Sequence, residues 1–322
     1  MKIVVLLPEN VFLISSANAN RWRTLLEGLS QLGAEIEIYI TEGYATPEEY
    51  KKQGKTGYIG NIQYTYLHRL FNHHIWLRRM NKYLFIPLFQ WFNKRAVIRL
   101  NEKNPEAIFW FSSTLNLLKT AHFLRTKNKD AKIFLEMSEF LDIHTMNPGN
   151  VLHKIEGNKR QQFFEQKAFY SLSGLALMTK TLLNYYQTFP SPKPQLLHLP
   201  MTVDLGRFKH QAKPSIKEPY LAFVGSYSNA KDGVDILLKS FALICPDFPN
   251  LSLVMHGFIE YDTQEHQELI KELNLEQRVF YNPPISRDKV PDVLLGAQLL
   301  LLPRPASKQA EGGFPTKLGE YL

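Results

Sequence analysis

Residues 311–322 read EGGFPTKLGEYL. Gly312 and Gly313 let a backbone approach a ligand closely and permit positive φ. Pro315 suits the first position of a helix. The N–H groups of Phe314, Thr316 and Lys317 would then point at one place, where the helix dipole favours an anion. Glu320 falls about one turn inside that helix, within reach of two vicinal hydroxyls such as those of a ribose. Glu311 precedes the turn, where it can touch the other end of the ligand. A diphosphate with hydroxyls at both ends describes a nucleotide sugar.

A second stretch, FVGSYSNAKDGVDILLKSF, offers related chemistry. A strand ends at Gly225, a polar loop follows, and a helix begins near Gly233. N–H groups at the helix start, with Lys231 beside them, can hold phosphate. Taken alone, this is also an ordinary strand–turn–helix. Neither GxGxxG nor GxxxxGK[ST] occurs, so a dinucleotide fingerprint and a P-loop are both excluded.

The elements that must carry these residues follow from hydrophobic patterning. Short apolar runs predict strands over Lys2–Leu7, Glu35–Ile40, Ile62–Leu67, Ala107–Phe111, Lys132–Glu136, Gly174–Met178 and Gln195–His198. Amphipathic stretches lie between them, among them Asn20–Leu32, Thr114–Lys127 and Val151–Tyr170. This alternation predicts an α/β fold with a mostly parallel sheet and helices on both faces. The pattern restarts after a polar stretch, with strands over Tyr220–Val224, Leu251–His256, Arg278–Tyr281 and Gln298–Leu302. Helices are expected over Gly233–Ile244, Gln264–Leu273 and Arg287–Leu295, then a loop over Pro303–Phe314. The expected domains are 1–204 and 220–322, joined by a linker over 205–219. Two such units would place a cleft between the carboxyl ends of their sheets, where open α/β sheets bind ligands.

Composition bounds the function. The chain has 322 residues, one cysteine and a net charge of +8. A single thiol excludes a disulfide framework and suits a reducing cytoplasm; Cys245 reads as a small buried apolar residue. Residues 201–322 carry 13 Lys and Arg against 15 Asp and Glu, leaving 25 against 15 for residues 1–200. Much of the excess lies over 68–103, where basic residues interleave with aromatic and aliphatic ones. Such a segment fits an anionic membrane surface; a buried helix with a solvated basic face is the plainer reading. Nucleic acid is not expected, because no nucleic-acid-binding module is visible. The run Tyr83–Phe92 is too short to span a bilayer. Pro8, Glu9 and Asn10 interrupt the first apolar stretch, which reads as a strand and not a signal peptide. His144 and His153 read as structural, Tyr185 and Tyr186 as packing residues. No aspartate pair or His/Cys cluster has metal-ligand spacing, so no metal and no cofactor is expected.

The second unit resembles the group 1 family of retaining glycosyltransferases with two Rossmann-like domains (GT-B), often called family 4. The resemblance rests on FVGSYSNAKDGVDILLKSF, VMHGF, RVFYNPPISRDKVPDVLLGAQLLLLPR and EGGFPTKLGEYL, with the interdomain LPMTVDLGRF. These occur in family order and cover about the last third of the sequence. The first unit is similar only in pattern. The resemblance implies that Lys231 neutralises the donor diphosphate and Glu320 holds the ribose. It implies that amides around Gly313, Phe314, Pro315, Thr316 and Lys317 hold the diphosphate, and that Glu311 contacts the transferred sugar. Asn282–Ile285 would face the nucleobase, with Ile285 at its edge. In the first unit FLEMSEF occupies the strand end where relatives place a His or acid, and Glu139 is the candidate there.

This sequence departs from the family in three places. Ser226 stands where members carry Arg, with Arg304 or Lys317 as substitute cations. Eight residues separate Glu311 from Glu320 instead of seven. The first loop lacks paired glycines, leaving Asn18 and Asn20 for polar contacts. In relatives a further strand–helix unit follows the donor helix, so the second domain is expected to be C-terminally truncated.

The implied function is transfer of a sugar from a nucleotide-diphosphate donor to an acceptor hydroxyl, with retention and without metal. Glu139, Glu311 and Lys231 would serve the reacting centre. The expected acceptor is a polysaccharide, a lipid-linked intermediate or a lipid, met in the cytoplasm or peripherally at the inner membrane face. The alternatives are a sugar-nucleotide epimerase of the same double fold and a non-catalytic member that only binds.

Overall fold

A computed structural model of the chain describes residues 1–14, 16–42, 51–68, 86–141, 158–209, 218–258 and 263–322. His144, His153, the first part of the basic segment (69–85) and most of the expected linker (210–217) lie outside these residues. The chain divides into two compact units, with the break between Pro200 and Met201.

In the first unit the strands are β1 (Lys2–Leu7), β2 (Glu35–Ile40), β3 (Thr56–Ile59), β4 (Ile62–Tyr66), β5 (Ile108–Phe111), β6 (Lys132–Met137), β7 (Gly174–Leu177) and β8 (Gln195–His198). They form one sheet in the order β3-β4-β2-β1-β5-β6-β7-β8. All neighbouring pairs are parallel except β3 with β4. The sequence KIVVLL explains the central position of β1. A continuous apolar run suits a strand covered on both faces. Val4 and Leu6 enter one core, with Leu117, Leu118 and Leu124 of helix α3 (Leu115–Lys127). Ile3, Val5 and Leu7 enter the other, with Trp22 and Leu26 of helix α1 (Ala17–Gln31). Between α1 and α3 the chain forms α2 (Ile86–Lys103), and α4 (Lys180–Gln187) follows β7. Helix α1 starts earlier than the expected Asn20 because the Ala19 N–H donates to Ser16 Oγ at 3.1 Å, a side-chain N-cap.

Two expectations for this unit need correction. Strand β3 was not anticipated; it pairs antiparallel with β4 across Gly60 and Asn61, with Gly60 at φ 58°. The described part of Val151–Tyr170 does not remain α-helical. It passes through a π-helical turn over Phe164–Ala168 and a 3-10 turn over Phe169–Ser171.

The second unit has β9 (Tyr220–Ser226), β10 (Ser252–Phe258), β11 (Val279–Asn282) and β12 (Leu299–Leu300), parallel and ordered β11-β10-β9-β12. Its helices are α5 (Asn229–Asp232), α6 (Val234–Ile244), α7 (Thr263–Glu272), α8 (Val290–Leu295), α9 (Lys308–Gly312) and α10 (Thr316–Tyr321). Val234, Leu237, Leu238 and Phe241 recur at helical spacing and are the buried face of α6. They pack with Leu221, Phe223, Leu253 and Met255 of the sheet.

Both sheets reverse direction beside their first strand, between β1 and β5 and between β9 and β12. In open α/β sheets the crevice at the carboxyl ends of such strands is where ligands bind.

Candidate functional site

The reversal point of the second unit gathers most of the residues singled out for phosphate chemistry. Strand β9 ends at Ser226, and the chain turns at once into α5. Ser228 Oγ caps α5 by accepting from the Lys231 N–H at 3.3 Å. Gly233 then takes φ 66°, a left-handed conformation that L side chains avoid, and α6 begins. Its freedom is doubly needed, because a Cβ there would collide with the Pro303 carbonyl oxygen and crowd Pro305. The segment bearing Arg304 is thereby seated directly on the Asp232–Gly233 corner.

At the centre is a carboxylate that sequence reasoning missed. Asp232 is 5% exposed. Its Oδ2 accepts from Ser226 Oγ at 2.6 Å, and its Oδ1 pairs with Lys317 Nζ at 2.6 Å. Lys317 Nζ also lies 4.3 Å from the centre of the Phe223 ring, a cation–π distance. Burial pushes the Lys317 amine below its ordinary pKa of 10.5; Asp232 opposes this, and the positive charges of Lys231 and Arg304 add to it. Three cations and one carboxylate therefore share one corner. Ser226, standing where the resemblance places an arginine, hydrogen-bonds the carboxylate.

A helix begins beside Gly233, as expected, and its first turn has an internal tie. The Asp235 N–H in the first turn of α6 donates to Asn229 Oδ1 at 3.0 Å. That oxygen also accepts from His266 Nε2 at 2.6 Å, while His266 Nδ1 meets Tyr281 OH at 3.0 Å. Nε2 must carry the proton in the first contact, so Nδ1 accepts from the tyrosine. One N–H in the first turn of α6 is thus taken by its own chain.

Residues 311–321 differ from expectation in detail. The stretch Pro303–Phe314 is not all loop: Lys308–Gly312 form α9, with Ser307 Oγ accepting from the Ala310 N–H at 3.1 Å. Glu311 is exposed on it. The glycines with positive φ among the described residues are Gly33, Gly54, Gly60 and Gly233, so Gly312 and Gly313 do not use that freedom. Pro315 is the cap of α10 at ψ 112° and not its first helical residue. Phe314, Thr316 and Glu320 are half-buried. Glu320 pairs with Arg207 Nη1, with side chains 19% and 9% exposed. Arg207 Nη2 donates to the Arg287 carbonyl at 2.6 Å, and Arg287 Nη2 reaches Asp204 at 3.5 Å. Tyr321 OH accepts from the Val224 N–H and donates to the Leu301 carbonyl, both at 3.4 Å. Helix α10 has only six residues, yet Tyr321 ties it to β9 and to the residue that follows β12.

The nucleobase segment also has internal ties. Tyr227 OH donates to the Asn282 carbonyl at 2.6 Å, and its ring stacks on Tyr281 at 4.0 Å. Ile285 is half-buried three residues past β11.

In the first unit Glu139 is half-buried just past β6. Beside it lies a buried pair that was not foreseen. Arg21 Nε donates to Glu136 Oε1 at 2.6 Å, with side chains 2% and 4% exposed. Arg21 also donates to the carbonyls of Leu199 and Pro200 at 2.8 and 2.9 Å. Burial pushes the Glu136 carboxyl above the usual range, and Arg21 opposes the shift. Elsewhere on this unit Leu67, His68, Trp91, Phe92, Arg95 and Arg99 line a recess of about 490 Å³. Trp91 and Phe92 are 51% and 41% exposed, and the Arg95 guanidinium lies 5.3 Å from the Trp91 ring. Among the described residues no helix is long and apolar enough to cross a membrane. Among the same residues no group of three or more His, Cys, Asp or Glu could hold a metal ion.

Two mostly parallel α/β units, with solved structures matching over 94% of the chain, give this protein the GT-B fold. Residues 207–322 match the family "Glycosyl transferases group 1". No curated protein sequence matches. Sucrose-phosphate synthase from Thermosynechococcus elongatus is similar in structure, with a TM-score of 0.72 at 12% identity over 94% of this chain and 75% of that one. A UDP-forming α,α-trehalose-phosphate synthase from Burkholderia xenovorans gives 0.58 at 14% identity, over 94% and 77%. A mutant of S. aureus TarM, in complex with Fondaparinux, alpha-GlcNAc-glycerol and UDP, gives 0.61 at 9% identity, over 93% and 80%. Likeness at such identities establishes the fold; activity must be argued from the site.

Proposed function

We propose that this protein transfers a sugar from a nucleotide-diphosphate donor to an acceptor hydroxyl, with retention and without a metal. The observation that carries the reading is the corner at the carboxyl ends of β9 and β12, where Lys317 pairs with Asp232 and feels the positive charges of Lys231 and Arg304. Cleavage of the sugar–diphosphate bond develops negative charge on the leaving diphosphate. Cations fixed in advance in a partly buried corner stabilise that charge more than they stabilise the intact donor. The amides of Gly313, Phe314, Thr316 and Lys317 add donors at the cap of α10, although a six-residue helix contributes little dipole. Glu320, oriented by Arg207, accepts from the ribose hydroxyls with its remaining lone pairs. Glu311 takes the transferred sugar, and Glu139 serves the acceptor side.

The acceptor is a polysaccharide, lipid-linked or lipid intermediate at the inner face of a membrane. The exposed Trp91, Phe92, Arg95 and Arg99 favour an anionic surface as the place of work.

A panel of nucleotide sugars screened by thermal shift tests the donor assignment. A true donor at a hundred times its dissociation constant stabilises by about 2.7 kcal/mol. Release of nucleoside diphosphate with and without acceptor extracts then separates transfer from binding alone, and analysis of the released sugar separates it from epimerisation. Failure of every nucleotide sugar to stabilise the protein would sink the reading.

A further inference from the structure

The cationic corner contains a group that opposes its apparent purpose. Asp232 is buried against the amine expected to meet phosphate, and two hydrogen-bond partners fix it. Its position is not an accident of a mobile side chain. It closes α5, directly before the left-handed Gly233 that seats Arg304. The carboxylate keeps the Lys317 amine charged and in place, yet its own negative charge weakens phosphate binding.

The charge balance supplies a reason. Lys231, Arg304 and Lys317 provide three positive charges, and Asp232 offsets one of them. A nucleotide-diphosphate sugar has two singly charged phosphates. The nucleoside diphosphate left after transfer has a terminal phosphate that carries close to two charges near neutral pH, since its second pKa is about 6. The product is therefore the more anionic of the two, and a site of three unopposed cations would retain it.

We propose that Asp232 is a specificity-determining residue of the phosphate corner, tuning it toward the dianionic sugar diphosphate and against the more highly charged nucleoside diphosphate. The inference rests on the donor-site reading above. Asp232 works through charge and through its hold on Lys317, so it is a positioning group and not a catalytic residue.

Calorimetric titration of UDP, GDP and ADP against UDP-glucose, GDP-mannose and ADP-glucose tests it. The quantity read is the ratio of dissociation constants of each sugar nucleotide to its nucleoside diphosphate. In Asp232→Asn that ratio shifts roughly tenfold toward the diphosphate, the effect of one charge at about 10 Å in an effective dielectric of about 20. Lys317→Met shifts it in the opposite direction. The double variant Asp232→Asn/Lys317→Met restores the charge balance and returns the ratio to near its native value. It also leaves no buried charge unpaired, so it keeps the test open if Asp232→Asn alone fails to fold. Equal changes for both ligand classes in Asp232→Asn, or a double variant whose ratio stays shifted, would overturn the proposal while leaving the donor site intact. A native protein that binds none of the six probes overturns the donor reading itself.

Discussion

Lys231 carries the residue-scale test of the donor site. It is half-buried beside Asp232, and its charge reaches Lys317. Lys231→Ala and Glu320→Ala are each expected to lower donor turnover at least a hundredfold, the scale of removing one preorganised stabilising group. Initial rates at saturating donor check this; full activity in both variants would refute the assignment. Lys317 adds a pH signature. Its folded-state pKa is depressed by burial below 10.5, so between that lowered value and 10.5 the folded protein binds fewer protons than the unfolded chain. Stability therefore rises with pH across that window, while the corner loses a positive charge. Nucleotide-sugar affinity should fall as pH rises through the alkaline range below 10.5, and Lys317→Arg should flatten the fall. In the first unit Arg21→Ala leaves Glu136 buried and unpaired, which costs about 3–5 kcal/mol. Urea unfolding should show it, with much of the loss recovered in Arg21→Met/Glu136→Leu.

What was legible at this scale had local signatures. Ser226, Lys231, Arg304 and Lys317 stand beside strand ends and turns, and the structure brings them together. Asp232 and Arg207 were not legible as members of the site. An aspartate after a lysine and before a glycine reads as a turn, and its partner Lys317 is 85 residues away. Arg207 meets Glu320 across 113 residues, with no spacing to announce it.

Among the elements, the α5–Gly233–α6 corner decides where Arg304 goes. Gly233→Ala combines a left-handed φ with a clash against the Pro303 carbonyl, and should destabilise by roughly 1–3 kcal/mol. Because the strain falls on the Arg304 segment, nucleotide-sugar affinity should fall as well. A melting curve read beside a titration separates the two effects, and an affinity equal to native would show that Arg304 does not need this seat. Most strands were legible because apolar runs bounded by polar turns have few other readings; Lys2–Leu7, Glu35–Ile40 and Gln195–His198 match the structure end to end. The hairpin strand β3 was not, since TGYI has a single aliphatic residue, although the two-residue Gly60–Asn61 turn was a usable signal. Helix α9 escaped because KQAEG is too short to show a periodicity.

Across the whole molecule charge is unevenly divided. Residues 1–200 carry 25 basic against 15 acidic side chains, and the rest is slightly acidic. Two exposed arginines next to exposed Trp91 and Phe92 give that excess a local outlet. Arg95→Ser/Arg99→Ser should weaken binding to phosphatidylglycerol vesicles by about 2 kcal/mol, near thirtyfold, at about 1 kcal/mol per charge. Co-sedimentation at low and high salt reads the effect; equal binding to neutral vesicles would refute the electrostatic part. The mostly parallel pairing in both sheets followed from alternation of strands and helices.

The ties of α10 also set an order of events in time. Arg207 comes before β9, the first strand of the second unit, yet pairs with Glu320; Tyr321 bridges Val224, 97 residues earlier, to Leu301. Contacts between residues so distant in sequence form late, after the loops between them have closed. The phosphate corner is thus among the last parts of the unit to mature. In a refolding experiment secondary structure should return first, and the ability to bind a nucleotide sugar should return only with the slowest phase.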